Sequence, residues 1–140
     1  MKPMLRPLCH RRSRTLVATL ALLPVAACGA PSSTVDDASR AGAQLQRAVA
    51  SHDAGAVCRL LTPATSQSLA QDESCASAVS GLDLSDPGPV RSAQVWGSNA
   101  LITYDQDAAF LTLANGRWLV TAAGCSLHQE SPADCDLEAG

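Results

Sequence analysis
Asn115-Gly116 sits between two apolar runs, "AAFLTLA" (108 to 114) and "RWLVTAAG" (117 to 124), and it restricts this chain more than any other pair of residues. A two-residue link cannot join parallel strands, and Asn-Gly best tolerates the two positive φ angles of a type I′ turn. The two runs are therefore neighbouring antiparallel strands. Upstream, "VRSAQVW" and "ALITYD" are rich in valine, threonine and aromatic residues, and the links Gly97-Ser98-Asn99 and Asp105-Gln106-Asp107 are equally short. Four consecutive strands joined this way form an antiparallel meander. Their alternation is imperfect, with apolar residues on both faces of several strands, so the sheet is expected to curl around a core and to be covered on one side by helices.

Those helices come first in the chain. Within "TVDDASRAGAQLQRAVAS", Val35, Ala38, Gly42, Leu45 and Val49 recur at spacings of three and four opposite Asp37, Arg40, Gln44 and Arg47. That stripe predicts an amphipathic helix of about four turns. Ser51-His52-Asp53 reads as a cap for a short helix carrying Cys58. Thr62-Pro63 reads as an N-cap followed by proline at the first helical position, opening a brief helix through Leu69. Asp72 is expected to cap a helix around Cys75, and Gly81 to help end it. Helices first and a curved antiparallel meander second is the α+β order.

Before the first helix the composition changes twice. Lys2, Arg6, Arg11, Arg12 and Arg14 make a positive opening, and "TLVATLALLPVAA" follows as an apolar run interrupted by Pro24. These are the n-region and h-region of a secretory signal peptide, too short for a bilayer-spanning helix. Val25-Ala26-Ala27-Cys28 then resembles the bacterial lipobox, in which a peptidase cuts before a cysteine that carries diacylglycerol on its sulfur. The resemblance implies a signal peptide over residues 1–27, a lipidated Cys28 with a solvated tether over residues 28–34, and one domain over residues 35–140. Acyl chains contribute about 0.8 kcal/mol per buried CH2, and two of them hold a protein on its membrane where one does not. Lys2 is the one lysine beside nine arginines, a bias of high-GC genomes such as those of actinobacteria. The location implied is the outer face of the cytoplasmic membrane.

Export bears on the cysteines. Cys9 would leave with the leader and Cys28 would carry lipid, which leaves Cys58, Cys75, Cys125 and Cys135, an even set that reads as two disulfides in an exported domain. Three pairings are open to four cysteines. Helical periodicity puts Cys58 on one face with Ala54, Val57 and Leu61, and Cys75 on one face with Ala78, Val79 and Leu82, so these two sulfurs are expected to meet between helices. Cys125 and Cys135 would fold the C-terminal tail back on itself. A metal site built from these thiols and His128 lacks any C-x-x-C pair, so no metal is expected. The exported part would carry five arginines against all thirteen carboxylates. Such a surface is repelled by phosphate backbones and anionic headgroups, which argues against nucleic acid and leaves membrane contact to the anchor.

Three stretches carry a further likeness. "CRLLTPAT" (58 to 65), the second helix cysteine Cys75, and "GRWLVTAAGCSLHQESPADC" (116 to 135) resemble a pattern of small actinobacterial lipoproteins with an NTF2-like, ketosteroid-isomerase-like domain. The resemblance implies a cone-shaped fold with helices over a curved sheet. The pattern has Pro-Tyr before its last cysteine where this chain has Pro132-Ala133-Asp134. Enzymes of the wider superfamily use carboxylates with Tyr or His inside the cone for acid–base work. Here Tyr104, Asp105, Asp107, His52 and His128 form no recognisable constellation, and Ser126 and His128 lie too close along one loop to act as nucleophile and base. Trp96, Tyr104, Phe110 and Trp118 are the aromatic candidates for an apolar pocket.

These readings converge on a lipid-anchored extracytoplasmic domain that binds rather than transforms, with no cofactor and a small apolar ligand or an envelope protein as partner. A small isomerase, cyclase or hydrolase using the cone is the catalytic alternative. A homodimer or envelope-complex subunit, assembled through the outer sheet face, is the third.

Overall fold
The computed structural model describes residues 32 to 139, so the expected signal peptide and Cys28 lie outside the described residues. Helix α1 (Ser32–Ala50) begins within the stretch read as tether and is followed by α2 (Ala54–Leu60), α3 (Pro63–Leu69) and α4 (Cys75–Gly81). The sheet then runs through β1 (Val90–Trp96), β2 (Asn99–Tyr104), β3 (Ala108–Ala114), β4 (Arg117–Ser126) and β5 (Asp134–Glu138). All neighbours pair antiparallel and in sequence order. The fold class is α+β, with the helices packed on one face of the sheet.

Local chemistry accounts for most boundaries. Asn115 (φ 51°) and Gly116 (φ 75°) both take the left-handed conformation that a type I′ turn requires. Asp53 caps α2 by accepting from the Ala56 N–H at 2.8 Å, and Thr62 caps α3, with Pro63 at its start, by accepting from the Thr65 N–H at 3.1 Å. The cap of α4 is Ser74, whose hydroxyl accepts from the Ser77 N–H at 3.1 Å. Asp72 does not fill that role, because the helix starts at Cys75 and a capping oxygen must sit one residue before its first turn.

The sheet has five strands where the sequence indicates four. The fifth is formed by the folded-back tail, where "DCDLE" is rich in aspartate, which strands disfavour. Two contacts overcome that preference: Cys135 lies opposite Cys125 and is bonded to it, and Leu137 is fully buried opposite Ala123. The other disulfide joins Cys58 of α2 to Cys75 of α4. Register shifts interrupt the ladders between Val90 and Ser92 and on either side of Phe110. Bulges of this kind bend a strand and add twist.

The core lies between α1, α2 and the inner face of the sheet. Ala38, Leu45 and Val49 of the α1 stripe are buried against Ile102, Leu111, Val120 and Leu137. Each fully buried Leu, Ile or Val stabilises the fold by about 1.5–3 kcal/mol. The junction of α2 and α3 is tied to β4 by backbone. Leu61 makes a parallel bridge to Val120, and the Thr62 N–H donates to the Val120 carbonyl at 2.9 Å. Thr65, fully buried, donates to the Thr121 carbonyl at 3.1 Å while its hydroxyl lies 2.8 Å from that of Thr62. "LLTPAT" thus fastens helix to sheet and supplies no reactive group.

Candidate functional site
Tyr104 ends β2 on the inner face, and its hydroxyl donates to the Gly42 carbonyl of α1 at 2.8 Å. Burial, and secondarily the charge of Asp107, pushes the phenol well above its ordinary range. Asp107 follows the turn after β2 and lines the same side of the sheet. Its carboxyl is pushed up to about 6, first by burial and then by repulsion from Asp136 and Asp86. Asp86 is itself held below the usual carboxylate range by hydrogen bonds from the Gln46 amide at 3.0 Å and the Gly88 N–H at 2.9 Å.

Two voids lie beneath the irregular segment that follows α4. The first, about 60 Å³, is bounded by Leu45, Leu84, Pro87, Tyr104, Asp107 and Asp136. The second, about 130 Å³, lies between the end of α1, the start of α2 and the end of α4, with Ala48, Val79 and Leu82 in its walls and His52 and Ser80 at its rim. Val49, Val57 and Leu84 border both. Val49 and Val57 are buried, whereas Leu84 is half-buried and belongs to the irregular segment. The arrangement offers apolar walls, a half-buried acceptor at one end and a rim open to solvent.

The four aromatic candidates do not line one pocket. Tyr104 and Trp118 are buried on the helix-covered face. Phe110 packs on the opposite face with Leu101, Ala122 and the Cys125–Cys135 bridge. Trp96 borders an open groove on that outer face together with Phe110 and Ala133, and it is 49% exposed. Strand parity explains the split, because inward Val95 and Ala100 are paired and Trp96 is one residue further on. With apolar side chains on both faces, the sequence does not reveal which face each aromatic takes.

The remaining polar candidates are dispersed. Asp105 pairs with Arg91, and His128 and Ser126 are exposed at or beyond the end of β4. His52, with φ 53°, completes a helix-ending turn in which its N–H donates to Val49 and that of Asp53 to Ala48. Among the described residues, no group of three or more His, Cys, Asp or Glu side chains is placed to hold a metal ion, and no helix is long and apolar enough to cross a membrane. Sequence reasoning missed Asp107 as a pocket residue by leaving it in its turn. It also missed Leu84. The available signal was "LDLSDPGP", whose Leu82 and Leu84 alternate with polar residues just before the sheet.

No protein-family model, curated protein or solved structure matches the chain.

Proposed function
We propose that this chain is a lipid-anchored extracytoplasmic binding domain, an NTF2-like cone tethered through Cys28, that holds a small apolar molecule between its helices and sheet. The observation that carries the reading is the pair of adjoining voids that share Val49, Val57 and the half-buried Leu84 in their walls. Protein interiors leave few voids larger than a water molecule, and an apolar cavity of about 150 Å³ is sufficient to take up benzene or xenon. Binding without turnover is favoured because the Tyr104 hydroxyl is engaged by the Gly42 carbonyl, and among the described residues no histidine lines the void beside Asp107 to relay a proton. Xenon pressurisation of crystals tests the site: xenon density in the 130 Å³ void is expected, and an empty void under pressure removes the reading. Tethering is tested separately by membrane fractionation, with Cys28→Ala expected to block lipid-linked maturation.

A second reading rests on Trp96, which is 49% exposed on the sheet face that no helix covers among the described residues. An aromatic there suits a subunit that meets a second copy or an envelope protein. Analytical ultracentrifugation distinguishes them: a monomer at all accessible concentrations removes the homodimer.

A further inference from the structure
Residues 82 to 89 connect α4 to the sheet without regular structure, and Leu82, Asp83, Leu84, Ser85 and Asp86 are the first part of that connection. No backbone hydrogen bond among the described residues holds Asp83, Leu84 or Ser85. The ends of the segment are fixed: Leu82 N–H donates to the Val79 carbonyl at 3.1 Å, and the buried Pro87 accepts from the Gln106 N–H at 3.1 Å. Glycines flank it, Gly81 with open space around its Cα and Gly88 with a positive φ of 77°. The Asp86 carboxylate is also held, by the Gln46 amide of α1 at 3.0 Å, so the stretch free to move is Asp83, Leu84 and Ser85, which opens at little cost in hydrogen bonds.

Its apolar side chain is the half-buried Leu84, which borders both voids together with the buried Val49 and Val57 of the helices. Taken apart, the voids of about 130 and 60 Å³ are small for a ligand. Joined by outward movement of Leu84, they add the volume of a leucine side chain and approach the lower end of ordinary small-molecule sites, roughly 300 Å³. The walls of the joined space are mainly Ala, Val and Leu, with His52, Asp53 and Ser80 bordering the larger void and Ser85, Tyr104 and Asp136 the smaller. One end is bordered by the half-buried Asp107, whose carboxyl pKa is raised by burial and by neighbouring carboxylates and not lowered by a donor among the described residues.

We infer that Leu84 is a movable plug, and that the site it closes takes a small apolar molecule bearing one hydrogen-bond donor, such as a short alcohol, with the donor directed to Asp107. This inference rests on the binding reading above. Displacing the plug lowers apparent affinity by the fraction of molecules in which it is already out. Shortening the plug therefore tightens binding.

The test is an NMR titration of the purified protein with benzyl alcohol, toluene and benzoate, repeated for Leu84→Ala and for the milder Leu84→Val. Benzyl alcohol is expected to shift the Val57, Val79, Leu84 and Asp107 amides saturably, ahead of toluene, with benzoate excluded by the carboxylates. Leu84→Ala should bind benzyl alcohol about tenfold more tightly, with Leu84→Val between. Saturable binding with equal affinity in all three proteins overturns the plug and leaves the binding reading standing. Benzoate binding as well as the alcohol does overturns the ligand class. No saturable shift with any probe in any of the proteins overturns both the plug and the reading beneath it.

Discussion

The Tyr104 hydroxyl and the Gly42 carbonyl, 62 positions apart in the chain and 2.8 Å apart in space, fix how closely α1 approaches the sheet. Glycine makes the approach available: a Cβ on residue 42 would stand 2.7 Å from Ile102 Cγ2 and 3.2 Å from the Tyr104 hydroxyl. Alanine is the better helix former by about 1 kcal/mol, but here its methyl group meets a branched core side chain. Gly42→Ala is expected to be destabilising by about 1–3 kcal/mol through overpacking. Tyr104→Phe, which keeps the packing and removes one hydrogen bond, should cost about 1 kcal/mol. Urea denaturation midpoints measure both, and a Gly42→Ala protein as stable as the parent contradicts the close approach.

Thr65 is the second fixed point. Its N–H donates to Thr62 and its hydroxyl to the Thr121 carbonyl, with no exposure to solvent. Thr65→Val preserves shape but deprives the Thr121 carbonyl of its side-chain donor, at an expected cost of about 1–2 kcal/mol. Thr65→Ser keeps the hydroxyl and loses one methyl group, about 0.8 kcal/mol. Reversal of that order in thermal or urea unfolding shows that packing, and not the hydrogen bond, holds α3 to β4.

Much of this frame can be read in the sequence where local rules and tertiary packing agree. Asn115-Gly116 defines its turn because few other pairs accept two positive φ angles, and Thr62-Pro63 specifies both cap and first helical residue. The face of a strand is another matter. Trp96 and Phe110 lie outside and Tyr104 and Trp118 inside, yet Trp96, Phe110 and Trp118 each have an apolar neighbour in sequence, so period two is blurred and does not tell which aromatics share a face. β5 was obscured by its aspartates, since its stability comes from Leu137 and the bond to Cys125. Asp107 belongs to a short turn in sequence, and only folding brings Asp86 and Asp136 close enough to perturb it.

The two disulfides are expected to act differently on removal. Cys58–Cys75 closes a separation of 17 residues and Cys125–Cys135 one of 10, for which chain entropy gives similar contributions of about 3 kcal/mol. Their structural settings differ. Replacing Cys58 and Cys75 by serine removes the link between α2 and α4 and should lower the global unfolding midpoint. Replacing Cys125 and Cys135 should additionally release the edge strand β5, seen as faster hydrogen exchange at Leu137 than in the rest of the core. Uniform exchange across β4 and β5 in that variant argues against a strand held mainly by its bridge.

Asp107 makes stability depend on pH. In the folded chain its carboxyl is pushed from 3.8 up to about 6 by burial, Asp136 and Asp86, so between those values the folded state holds a proton that the unfolded state has released. Stability therefore falls as pH rises through that window, and the penalty is complete above it. Two pH units correspond to about 3 kcal/mol before screening. The carboxyl is only about half withdrawn from solvent, so screening reduces this to roughly 1 kcal/mol. Asp107→Asn should be more stable than the parent at pH 7 by about that amount and should flatten this contribution between pH 4 and 6. Asp136→Asn, which removes the larger of the two repulsions, should move the Asp107 midpoint down in a carboxyl-detected NMR titration. A parent protein whose Asp107 titrates near 3.8, or an Asp107→Asn protein less stable at pH 7, would falsify the assignment of this carboxylate to a half-buried, like-charged site.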